Sequence, residues 1–304
     1  MNRQKENKLK IPFLRKLTEF SKKIKLPGLS GFSFYDFFII YGTGIIKGGF
    51  SPRASSIAWS FFLAVFPFLL LLLNLIPYVP VPGFQTRFLI FIESLLPPQT
   101  NEFFYPIIAD IAVNKRARLL SFASALAVFL SANGVNAIFV SFQNAYYVTI
   151  NRSFIRQYLV ALGVALLLAL LILVSVGAIL YGEYIIRNLK NYEFITNDGA
   201  WILLVQFLVF TVMIYMVIAI LYYFGTKEGK SSRFFSTGAV ITTILFLITT
   251  YLFGIYINNF SAYNKLYGSI GALLILMFYI WINSNLILLG FELNISIQKL
   301  KQNQ

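Results

Sequence analysis

Between Lys265 and Glu292 the chain carries no charged side chain, and this run of 26 residues, 266–291, constrains the fold more than any other feature. As a helix rising ~1.5 Å per residue it extends ~39 Å, longer than the ~30 Å hydrocarbon core of a bilayer, so it predicts a membrane-spanning helix. Its middle is not uniformly apolar, because Trp281, Asn283, Ser284 and Asn285 stand together there. An unpaired amide in hydrocarbon is costly, so these groups predict a face turned toward other helices. Glu292 lies seven residues, two helical turns, beyond Asn285, and Asn294 follows. One polar stripe therefore runs down the helix.

The remainder reads the same way. With 58% hydrophobic and 12% charged residues over 304 positions, the chain has too little charge to cover a soluble domain of this size. The expected fold is all-α: a polytopic membrane bundle with six transmembrane helices plus interfacial amphipathic helices. The absence of both Cys and His removes thiolate chemistry, imidazole bases and the commonest zinc ligands, and no cofactor is expected. The net charge of +14 is concentrated at one end, with eleven of 25 Lys and Arg in the first 53 residues. That placement predicts contact with anionic lipid headgroups at the N-terminal tail rather than with nucleic acid.

Residues 1–50 form a basic cytoplasmic tail with interfacial helices. Leu9, Phe13, Leu17, Phe20 and Ile24 recur at helical spacing among lysines, Pro27-Gly28 ends that segment, and 32–46 is too short to span. The first 25 residues lack the apolar core of a cleavable signal peptide. The membrane domain is 51–298, with spans predicted at 54–77, 119–147, 158–181, 201–224, 234–256 and 266–294, and 299–304 as a cytoplasmic tail. Ser51-Pro52 reads as the start of the first span and Pro67 as a kink within it. Two amphipathic stripes within 84–114, each too short to cross, predict an outer helical hairpin. With both termini inside, 18 Lys and Arg fall on inner segments and seven on outer ones, which favours a cytoplasmic location for both ends.

Four stretches then carry a resemblance: SPRASSIAWSFFLAVFPFLLLLL (51–73), ANGVNAIFVSFQNAYYV with RSFIRQYLVAL (132–162), GTKEGKSSRFFSTGA (225–239) and YGSIGALLILMFYIWINSNLILLGFELN (267–294). Together they resemble the YihY/BrkB family of six-span bacterial inner-membrane proteins, part of which was formerly labelled ribonuclease BN. The resemblance implies one six-helix domain in the inner membrane with both termini cytoplasmic. It supplies no catalytic residues.

The candidate residues follow from the stripes. Asn133 and Asn136 on the second span and Asn283 and Asn285 on the sixth either line a polar cavity or hold the bundle together by interhelical hydrogen bonds. Gly134 beside them is a place where the helix could loosen. Glu292 is read in two ways: as an ion-pair partner of Arg53, Arg152 or Arg156 at the interface, or as a more deeply buried carboxylate able to accept a proton. Arg53, Arg152 and Arg156 either set topology or contact lipid phosphates. The expected activity is that of a transporter or translocator of a lipid or other amphipathic solute. The alternative is a membrane scaffold, and enzymatic activity, ribonuclease included, is disfavoured because the acidic residues are scattered.

Overall fold

The computed structural model describes residues 33–75, 117–148, 152–191, 198–226, 234–259 and 269–302, with isolated positions between 83 and 93. The predicted surface helix at 9–25 and nearly all of the predicted outer hairpin at 84–114 lie outside the described residues. Seven helices make up the described chain: α1 (Phe34–Lys47), α2 (Phe50–Leu75), α3 (Ala117–Gln143), α4 (Phe154–Asn191), α5 (Asp198–Gly225), α6 (Thr237–Asn259) and α7 (Ser269–Gln302). Helices α3 to α7 each contain a stretch long and apolar enough to cross a membrane. Helix α2, the predicted first span, is continuous over 26 residues and continues through Pro67 to Leu75.

The local chemistry explains where the helices begin. Ser33 and Asp36 form a capping box at the start of α1, Ser33 Oγ accepting from the Asp36 amide and Asp36 Oδ2 accepting from the Ser33 amide at 2.9 Å. A turn at Gly48-Gly49, with Gly49 at φ +62, launches α2 at once. Pro52 thus lies within the first turn of α2 instead of opening it, a position where its missing N–H has no helical acceptor to lose.

The six long helices close into a ring. Each of α2 to α7 packs against the next, α7 returns to α2, and α1 lies against α7 and the start of α2. Gly134 serves this packing rather than loosening α3: the helix is unbroken there, and a Cβ would stand 2.5 Å from the Ala64 side chain of α2.

Two helices run well past their predicted ends. Helix α4 has 38 residues, ~57 Å at ~1.5 Å per residue. Helix α7 continues to Gln302, into the stretch expected from residue 299 to be a cytoplasmic tail. Leu300 is fully buried with Ile40, Tyr41, Leu293 and Ile297, so docking of α1 gives the end of α7 an apolar partner that the local sequence does not announce.

Candidate functional site

The polar residues gather at opposite ends of the ring. At the end where α3 and α5 finish, Arg53 and Glu292 form an ion pair, Nη1 to Oε1 at 2.6 Å, with 6% and 0% of their side-chain surfaces exposed. Arg53 Nη1 also donates to the Gly48 carbonyl at 3.2 Å, and Nε donates to the Ser141 carbonyl at 2.8 Å. One guanidinium thereby joins α2, α3, α7 and the turn after α1. Glu292 Oε2 and Arg53 Nη2 are buried without a hydrogen-bond partner among the described residues.

Helix α1 covers this pair. A Cβ on Gly44 would lie 2.9 Å from Glu292 Oε2, so only glycine lets the helix come this close to the carboxylate. Tyr147 Oη donates to the Ile40 carbonyl at 3.1 Å, and Tyr41 Oη donates to the Leu289 carbonyl at 3.2 Å. Burial, reinforced by the negative charge of Glu292, pushes the Tyr41 phenol up to about 12. The interfacial reading of Glu292 named three possible basic partners, and Arg53 is the one it meets.

Arg152 is buried but clamps a different joint, donating to the carbonyls of Phe224 and Thr226 at the end of α5. Cations are favoured at such a helix C-terminus. Burial and the neighbouring Arg156 charge lower its pKa. Arg156 is exposed. The same end is fastened across α5, α6 and α7: Tyr222 Oη donates to the Ile287 carbonyl at 2.8 Å and lies 2.8 Å from Thr242 Oγ1. Asn294 Oδ1 accepts from the Gly238 amide at 2.8 Å, and its Nδ2 donates to Ser236 Oγ at 2.9 Å. Phe142 and Phe291 stack at 4.0 Å in the middle, with Tyr222 edge-on to both. Of this group the sequence singled out Glu292, Asn294, Arg53 and Arg152 but assigned no interhelical contact to Tyr222, Thr242, Ser236 or Ser141. Hydroxyls in apolar helices carry no sign of which neighbour they meet.

Among the described residues, no hydrogen bond joins the two asparagine stripes. Asn133 is exposed, and Asn136 Oδ1 accepts from Gln157 Nε2 of α4 at 2.9 Å. Asn283 Nδ2 donates to the Tyr279 carbonyl and Asn285 Nδ2 to the Trp281 carbonyl, each one turn back on α7 itself. Helix α2 packs against both α3 and α7. Asn283 Oδ1 is buried without a partner among the described residues.

At the opposite end, α4, α5 and α6 border a pocket of about 680 Å3. Its mouth is charged: Glu183 Oε2 accepts from Arg87 Nη1 at 2.9 Å, and Oε1 accepts from Arg187 Nε and Nη2 at 3.0 and 2.6 Å. The walls are apolar, including Val176, Leu180, Leu203, Phe207 and Phe210, with Gln206 and Thr250 the uncharged polar groups. Thr250 Oγ1 lies 2.8 Å from Tyr279 Oη, which connects the pocket to α7. Sequence reasoning did not find this pocket, because residues 87, 183 and 206 reach one another only after three segments fold together.

The family model described as virulence factor BrkB matches residues 45–304. The chain is 31% identical over 252 residues to the putative ribonuclease-like protein YfkH of Bacillus subtilis, covering 82% of this chain and 90% of that one. It is 24% identical over 286 residues to the UPF0761 membrane protein PsycPRwf_0630 of Psychrobacter, covering 91% of this chain but only 50% of that protein's length. No solved structure matches the chain. With most of its length matched by one family model and its helices long enough to span a bilayer, the chain belongs to the BrkB family of membrane proteins.

Proposed function

We propose that this protein is a translocator of a lipid or other amphipathic solute in the bacterial inner membrane. The observation that carries the reading is an asymmetry: the helix ring is tied at one end by buried polar links and opens at the other on a pocket of about 680 Å3 with charged and apolar surfaces. Pockets of ~300–1,000 Å3 with a few convergent polar groups are the usual size for a small-molecule ligand. With both termini cytoplasmic, the tied end is the inner gate and the pocket faces outward. Passage then requires the Arg53–Glu292 link to part.

A nuclease reading, prompted by the name of the Bacillus relative, has less support. The chain lacks His and Cys, and among the described residues no three acidic side chains come together as a metal-binding group. Transport of fluorescent lipids in proteoliposomes tests the proposal. Flux above protein-free liposomes, raised by Glu292→Gln in protein that remains folded because the ion pair closing the inner end is lost, is the expected result. Absence of flux for anionic and zwitterionic lipids alike, with the protein intact, would favour a scaffold instead.

A further inference from the structure

We infer that the pocket between α4, α5 and α6 binds an anionic amphiphile, its phosphate or carboxylate headgroup held by Arg87 and Arg187 and its apolar tail lying along α4 and α5. The charge balance points to an anion. Among the described residues, two guanidiniums share the single Glu183 carboxylate, which leaves one positive charge at the mouth without a counter-charge there. The bonds to Glu183 leave Arg87 Nε and Nη2 and Arg187 Nη1 unengaged by that carboxylate. Guanidinium groups bind planar or tetrahedral oxyanions through paired, charge-assisted hydrogen bonds.

The ion-pair cluster has little value as a fastening. Arg187 is 63% and Arg87 44% exposed, and exposed pairs contribute little to stability. Glu183, only 15% exposed, instead fixes two long side chains side by side above the opening. The arrangement is preorganised for an incoming anion.

The walls decide against a small inorganic ion as the intended ligand. Below the arginines the lining is Val176, Leu180, Leu203, Phe207 and Phe210, a surface that accommodates a hydrocarbon tail and gives a hydrated ion no polar partner to replace its water. Gln206, half-buried among them, has no side-chain partner among the described residues and is placed to meet a glycerol or ester oxygen below the headgroup. The inference deepens the translocator reading by naming its substrate class, yet binding stands without flux. A ligand held but not moved would retain this site and remove translocation.

The test titrates the full chain, in an uncharged maltoside detergent, calorimetrically with dihexanoyl phosphatidic acid, dihexanoyl phosphatidylcholine and inorganic phosphate. Phosphatidic acid is expected to bind about tenfold or more tightly than either of the others, because it alone combines net anionic charge with a tail. Arg87→Gln/Arg187→Gln, at exposed positions that leave the fold unchanged, is expected to weaken phosphatidic acid about tenfold or more while leaving phosphatidylcholine nearly unaffected. Leu180→Trp, which fills the slot, is expected to weaken phosphatidic acid without changing binding of phosphate. Equal affinity for inorganic phosphate, equal affinity for phosphatidylcholine, wild-type affinity in the double variant, or no binding of any probe would each overturn the assignment.

Discussion

Arg53–Glu292 and Arg187–Glu183 are both ion pairs of 2.6 Å, yet they do different things. The first is 6% and 0% exposed and joins helices far apart in sequence; the second is 63% and 15% exposed and sits within one helix at i, i+4. Equal distances conceal unequal energies. A buried pair has already lost its water, so each charge depends on the other, whereas an exposed pair exchanges with solvent at little cost. One end of the ring is accordingly a fastening and the other a place where charge remains available to a ligand.

The sharpest way to break this contrast is to remove one partner of the buried pair. Arg53→Met is expected to destabilise by ~3–5 kcal/mol, since it leaves Glu292 charged and buried without a counter-ion. Thermal unfolding of the purified protein reads this, and Arg53→Met/Glu292→Leu should regain most of the loss. A single variant as stable as the wild type would mean that the pair does not hold this end together. Next comes Gly290→Ala, whose Cβ would overlap Thr242 Oγ1 and lie 2.5 Å from Tyr222 Oη. Overpacking of this kind costs ~1–3 kcal/mol, and the same unfolding assay should show it.

At the open end the expected changes are small. Arg187→Gln should alter stability by less than ~1 kcal/mol while changing anion binding, which separates the two roles by comparing unfolding with calorimetry. A larger drop in stability would place this pair among the structural ones. The smallest effect is expected for Asn285→Leu, at about 0.6 kcal/mol or less, because its amide bonds its own helix backbone and, among the described residues, no other helix. A larger loss in unfolding would point to an interhelical role for this residue.

Much of the fold was legible from residue order alone. Uncharged runs longer than the bilayer is thick give helices with little ambiguity, since every backbone group in hydrocarbon must find its bond within the segment. Helix termini were less legible. The extension of α7 to Gln302 was not foreseen because Leu300 is held by α1, and that contact depends on a segment more than 250 residues away. The asparagine stripes show a further limit: helical phase correctly puts Asn283 and Asn285 on α7, yet their donors turn back to the backbone of α7 rather than toward α3.

The sequence by itself determined the solvent of this protein, its all-α class and the rarity of groups able to do chemistry, because these follow from composition and from periodicity along one helix. Only the tertiary structure decided that Glu292 pairs with Arg53 and not with Arg152, and that Arg87, Glu183 and Arg187 meet at the mouth of an apolar pocket. Partitioning into a membrane is set by how many apolar residues a segment contains. Hydrogen bonds and ion pairs are set by distances of a few ångströms between segments, and those exist only once the ring has closed.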